Sequence, residues 1–217
     1  MKRKWIWRGL IYLVGLTILA IGTTFSTKTG LGVSCVTSAP YAISQVLGWN
    51  LSTMVFLIYA AMIVAQFIIK GKNRVWRDLL QFPVSIVFSA LLEWSGSLIT
   101  VHFEHLWQNL LLMAAGVALV GVGISMMVGM KIVPNPPDGL AHTVSEATGK
   151  DMGLVKNILD TTCVVIAVAA DLLGSGRVTT VGVGTVYSMI FIGRTIAVFN
   201  RFFKVKMLRL AGLETAQ

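Results

Sequence analysis

The chain of 217 residues is 55% hydrophobic and only 12% charged, with a mean hydropathy of +0.78. A soluble domain has too little interior to hide that apolar surface, so the composition excludes a water-soluble globular protein and points to an integral membrane protein. The net charge of +9 does not mark a nucleic-acid binder, because the basic residues flank apolar runs and form no basic domain.

The opening stretch, MKRKWIWRGLIYLVGLTILAIG, has the basic start of a signal peptide. Its apolar run is longer than a typical signal core and no small-x-small site follows, so it is expected to remain as a first span at about residues 6–24. A bilayer needs about 20 apolar residues per helix. Further spans are predicted at about 51–69, 79–100, 110–130, 154–173 and 181–203, with Pro83 near the start of the third. Lys2, Arg3, Lys4 and Arg8 precede the first span, and Lys70, Lys72, Arg74 and Arg77 follow the second. Lys131, Lys150 and Lys156 surround the loop after the fourth, and Arg201, Lys204, Lys206 and Arg209 lie at the end of the sixth. Only Lys28 and Arg177 fall on the other side, so both termini are expected in the cytoplasm. Trp5, Trp7, Trp49, Trp76 and Trp107 lie near span ends, where interfacial aromatics belong. Cys35 and Cys163 are far apart and form no metal or redox motif.

Two inter-span segments exceed a simple turn: TKTGLGVSCVTSAPYAISQVLGWN (27–50) and VGMKIVPNPPDGLAHTVSEATGKD (128–151). They align without gaps at an offset of 101, pairing Gly22 with Gly123, Ser34 with Asn135, Ser44 with Ser145, Gln45 with Glu146 and Gly48 with Gly149. The order of features repeats too: span, Gly/Pro break, short helix ending at Gly, next span. The expected fold is therefore all-α, with six transmembrane helices as two inverted three-helix repeats, about 1–101 and 102–217, each with a short, broken helical segment. Interrupted segments at matching positions of inverted repeats point to a secondary-transporter site. The other reading is an old duplication kept for packing.

The sequence GLGVS before a short helix, PPDGL in the second half and VGVGTVYSMIFIGRTI in the last span resemble the YitT/YczE group of bacterial membrane proteins, over nearly the whole chain. The resemblance implies the fold and a bacterial inner-membrane location more than any substrate. Two departures stand out: GVSCVTS replaces a Pro-Trp-Asp-like turn, and Arg194 stands where the group has an apolar residue or proline. The cytosolic domain appended in some relatives is not expected here.

The stretch VPNPPDGLAH (133–142) holds three of the five prolines. Pro136 and Pro137 cannot continue a helix from the fourth span, and Asn135 or Asp138 can cap a new one. Glycines and prolines leave backbone groups unpaired, which a membrane tolerates only inside the protein or facing water. The new helix's N-terminus suits an anionic group. Asp138, His142 and Glu146 are spaced i, i+4, i+8 and share one helical face, matched in the first half by Thr37, Tyr41 and Gln45. Two readings stand: paired polar stripes facing a central cavity, or a cytoplasmic amphipathic helix with a solvated face. As metal ligands the three are too widely spaced.

Charges at membrane depth default to functional hypotheses. Glu93 and Arg194 match at the offset of 101 and are expected to pair across the repeats, as a structural lock or as a gate. Lys156 and Asp160 suit an i,i+4 bridge, and Asp171 is expected to reach water. Gly116, Gly121, Gly123 and Gly129 allow close helix packing.

The candidate substrate-binding set is Gly30, Gly32, Ser34, Thr37, Ser38, Tyr41, Asn135, Asp138, Gly139 and His142, with Glu93 and Arg194 coupling or gating. The expected function is secondary transport of a small polar or amphipathic metabolite by alternating access. Alternatives are a non-transporting protein that binds lipid or stabilises a partner complex, and the substrate-capture subunit of an ATP-driven importer. No enzymatic activity, metal, cofactor or nucleic-acid partner is expected, and no Walker motif is present. The expected partners are membrane lipids, a small-molecule substrate and, as one assembly, a second copy in a homodimer.

Overall fold

The computed structural model describes residues 2–73, 75–101 and 103–213. Arg74 lies outside the described residues, as do the side chains of Lys2, Arg3 and Arg77. Eight α-helices carry these residues: α1 (Lys2–Lys28), α2 (Cys35–Leu47), α3 (Leu51–Lys70), α4 (Gln81–Leu98), α5 (Leu106–Met130), α6 (Pro136–Thr148), α7 (Met152–Ser175) and α8 (Val183–Leu210). All except α2 and α6 belong to segments long and apolar enough to cross a membrane. The molecule is an all-α integral membrane protein with six spans and two short helices between them.

Local chemistry sets the boundaries of the short helices. Pro136 and Pro137 occupy the first turn of α6, where a missing N–H costs nothing. Both α2 and α6 end on a glycine in the left-handed region, Gly48 (φ 65°) and Gly149 (φ 68°). Each glycine N–H donates back four residues, to Ser44 O and Ser145 O. The Asp151 carboxylate then starts α7 by accepting from Gly153 N and Leu154 N.

The most extensive helix pair is α1 with α5, running antiparallel. Gly22 lies against the Gly116 backbone, and Gly15 lies against Gly123. A Cβ on Gly22 would sit 2.7 Å from Gly116 O and 2.7 Å from Val120 N, so only glycine permits this approach. Helix α4 packs on α1, and α8 packs on α5 through Gly121 against Thr195. Helix α2 packs along α7 and α6 along α3. Helices α3 and α4 also pack together, whereas α7 and α8 have no comparable interface.

Helix directions give the bundle two unlike faces. The α1 start, the α5 end and the α8 end share one face, as the Arg8 guanidinium donating to Met130 O (2.8 Å) and Lys4 lying against Gly212 attest, and the α3 end joins them where Lys70, Lys131 and Lys204 surround one cavity. That face carries Lys4, Arg8, Lys70, Lys72 and Lys131 and is called the basic face below. Helices α2 and α6 start in the interior: α6 runs toward the basic face and α2 toward the opposite one, where Val46 meets Gly174 at the α7 end.

Candidate functional site

A cavity of about 1450 Å³ enters between α3, α6, α7 and α8 and reaches both chain breaks. Its mouth carries Lys70, Asp78, Glu146 and Lys204, and its deep end carries Ser34, Thr37 and Ser188. Fitted small-molecule pockets measure roughly 300–1,000 Å³. This larger volume suits an open vestibule.

The opposite face is closed beyond the deep end. Gly184 N donates to Leu31 O (2.7 Å) and Val33 N to Thr180 O (3.3 Å). Gly32, at φ 100°, lies so close to Gly182 that a Cβ would meet its nitrogen at 2.6 Å. These contacts satisfy the backbone groups that the first break frees, as a membrane interior requires. Asp171 braces the same closure. It is 2% exposed and accepts from Thr179 N (2.7 Å), Thr180 N (2.8 Å) and Thr180 Oγ1 (2.9 Å). The expectation that Asp171 reaches water is therefore corrected: the chain after α7 folds back over the carboxylate.

Halfway down the cavity lies an ion triad. Lys156 Nζ is 2.6 Å from Asp138 Oδ1 and 3.9 Å from Asp160 Oδ1. The i,i+4 pairing of Lys156 with Asp160 is thus present, but the shorter bond reaches across to α6. Asp138 does not cap α6. Asn135 holds the N-cap position without a side-chain capping bond, and its Oδ1 is buried with no hydrogen-bond partner. On the α3 side, Gln66 and Gln81 pair through both amides (3.1 and 2.9 Å), and Gln66 also donates to Pro136 O (3.2 Å). Gly139 packs on this amide pair, where a Cβ would meet Gln66 Oε1 at 2.8 Å.

The candidate residues divide accordingly. Ser34, Thr37, Asn135, Asp138, Gly139 and His142 line the cavity together. Ser34 and Thr37 join hydroxyls at 2.9 Å. His142 Nδ1 lies 3.3 Å from Glu146 Oε2 at the mouth, with both side chains more than 60% exposed. The α6 stripe divides by depth, with Asp138 inside and Glu146 exposed at the mouth, and of its counterparts on α2 only Thr37 lines the cavity. Gly30 is exposed on the opposite face, and Gly32 serves the closure. Ser38 is fully buried and donates to Cys35 O (2.6 Å), and half-buried Tyr41 does not line the cavity.

Glu93 and Arg194 are not brought together. Glu93 accepts from Asn50 Nδ2 (3.2 Å) and from Ser52 Oγ. Arg194 is exposed on α8 with its guanidinium 5.3 Å from the Phe191 ring centre. The expected pairing is corrected: equal offset put the two at matching positions but not side by side.

Tyr59, Gln66, Gln81 and Thr143, none of them among the candidates from the sequence, also line the cavity. A single amide inside the apolar run MIVAQFIIK was the available signal for Gln66. Among the described residues no cluster of His, Cys, Asp and Glu could hold a metal ion.

Comparison with known proteins agrees with a membrane location. The "Uncharacterized membrane protein YczE" of Bacillus subtilis (strain 168) is 23% identical over 194 residues, covering 89% of this chain and 85% of the relative. The "Uncharacterized protein YyaS" of the same organism is 20% identical over 191 residues, covering 88% and 90%. No solved structure matches the chain. A family of unknown function, DUF6198, matches residues 6–201, and the chain belongs to that family.

Proposed function

We propose that this protein is a secondary transporter that carries a small polar or amphipathic solute across the bacterial inner membrane by alternating access, with no enzymatic activity of its own. The observation that carries this reading is the one-sided cavity, which opens on the basic face, reaches both chain breaks and stops at the Leu31–Gly184 closure. The positive-inside bias makes the basic face cytoplasmic, so the described state is inward-open with both termini inside.

An inverted repeat at an offset of 101 supports the mechanism. Positions 15 and 116 are equivalent, as are 22 and 123, and the observed contacts are Gly15 with Gly123 and Gly22 with Gly116. A two-fold axis requires that reciprocity. Lys70 bonds Asp78 eight residues on (2.7 Å), and at the equivalent positions Asp171 bonds Thr179. The packing of α1 on α4 corresponds to α5 on α8, and α2 on α7 to α6 on α3. The main break in the correspondence is that α3 packs on α4, while α7 stands apart from α8. Exchanging the two arrangements closes α8 onto α7 and opens α3 from α4, which moves access to the opposite face.

A lipid-binding role without transport is the second reading. It is favoured by the gap between α7 and α8, whose outward faces carry exposed Leu173, Val183 and Val205. A thermal-stability screen of purified protein and Asp138→Ala against metabolites, vitamins, amino acids and lipids separates the two. Transport predicts stabilisation by a soluble compound that the variant loses. Stabilisation by lipids alone, unchanged in the variant, would overturn it.

A further inference from the structure

Resting on that transport reading, we propose that the solute is an organic cation carrying at least one N–H donor and an apolar body. The charge balance is the first argument. Asp138 and Asp160 set two carboxylates against the single ammonium of Lys156, and Asp138 takes the short contact (2.6 Å). Asp160 Oδ1 lies 3.9 Å from Lys156, beyond hydrogen-bond reach, and no donor satisfies it. A carboxylate oxygen without a donor costs free energy that a ligand recovers once the Asp160 carboxyl, 21% exposed and lining the cavity, turns toward it.

The unpaired atoms of the site are acceptors. Asp160 Oδ1 is a buried acceptor without a partner, and Asn135, whose amide bonds Tyr59, keeps its Oδ1 unpaired. Thr143 Oγ1, on the same cavity wall, is likewise unpartnered in a residue only 1% exposed. An anion brings acceptors and would leave the first two atoms unsatisfied, while a protonated amine brings donors. The N-terminus of α6 would ordinarily favour an anion, but Asp138 in its first turn already offsets that partial charge. Beyond the triad the walls are mixed, with Gln66, Gln81, Ser34 and Thr37 beside an apolar and aromatic stretch. Tyr59 and Phe88 stack at 5.8 Å and line the cavity with Val120 and Ile192, a surface that accepts an alkyl chain or a cation over a ring.

The test compares four six-carbon probes on purified protein: hexylammonium, hexyltrimethylammonium, hexanoate and hexanol, at equal ionic strength, by thermal stability and equilibrium binding. The proposal expects hexylammonium to bind best, the quaternary analogue about tenfold more weakly for want of an N–H, and hexanoate and hexanol weaker still. In Asp160→Asn the preference for hexylammonium over hexanol falls by about tenfold or more. The four-probe ranking on the unaltered chain does not depend on that variant folding. Hexanoate binding as well as hexylammonium would overturn the cation assignment while leaving a solute cavity. An ammonium preference unchanged in a folded Asp160→Asn would overturn the site. Failure of all four probes would overturn both the assignment and the solute reading on which it rests.

Discussion

Replacing Gly22 by alanine tests the helix crossing at the centre of the fold. The added Cβ would lie 2.7 Å from Gly116 O, 2.7 Å from Val120 N and 2.9 Å from Leu119 Cβ. Two of these atoms are backbone, so no rotamer change relieves the contact. Helices α1 and α5 must part by about 0.7 Å to restore ordinary van der Waals distance, and a gap of that size forfeits roughly a quarter to a half of each facing contact. Overpacking of this kind costs about 1–3 kcal/mol. The same cost is expected for Gly123→Ala, whose Cβ meets Gly15 O and Leu19 N at 2.7 Å. The double variant should cost less than the sum, because the first separation makes room for the second. Gly9→Ala and Gly96→Ala are the controls. Both sites are helical with nothing within 4 Å, so alanine's helix preference should stabilise them by up to about 1 kcal/mol. Equilibrium unfolding of the micellar protein in sodium dodecyl sulfate reads all of these. A Gly22→Ala variant as stable as the unaltered chain, or more stable, would refute the close-packed crossing.

Asp171→Ala strips the acceptor from two backbone amides and a hydroxyl, and is expected to cost about 2–4 kcal/mol and to speed hydrogen exchange at Thr179 and Thr180. Asp171→Asn, which keeps one acceptor oxygen, should lose less; unchanged exchange in the alanine variant would remove Asp171 from the closure. Lys156→Met leaves Asp138 and Asp160 facing each other and should cost about 2 kcal/mol, below the figure for full burial because Lys156 is partly exposed. Adding Asp138→Asn to that variant should recover part of the loss, and strict additivity in the double-mutant cycle would show that the triad is uncoupled.

The spans were legible because each is a long apolar run between basic or aromatic ends, and every predicted span overlaps an observed helix. The breaks were legible because Gly48 and Gly149 end helices and Pro136–Pro137 begin one, rules that act within a few residues. Partners across the fold were not. Glu93 and Arg194 share an offset, but an equal place along each half of the chain does not fix a distance in the fold, and Glu93 bonds Asn50 and Ser52 while Arg194 lies by Phe191. Asp171 looked solvated because burial there depends on the chain returning eight residues later. Lys156 was legible as the i,i+4 partner of Asp160, but its shorter bond to Asp138 was not, because sequence gives no sign that α6 would stand across from it.

Alternating access is the central claim, and the side from which the deep end of the cavity can be reached tests it most directly. With Cys35 and Cys163 replaced by alanine, a single cysteine at Thr37 would be labelled with a membrane-impermeant maleimide in right-side-out and inside-out vesicles. The account predicts fast labelling from the cytoplasmic side and slower but complete labelling from the outside, as the Leu31–Gly184 closure opens in turn. Labelling from the cytoplasmic side alone, at any exposure time, would contradict it and leave a static vestibule.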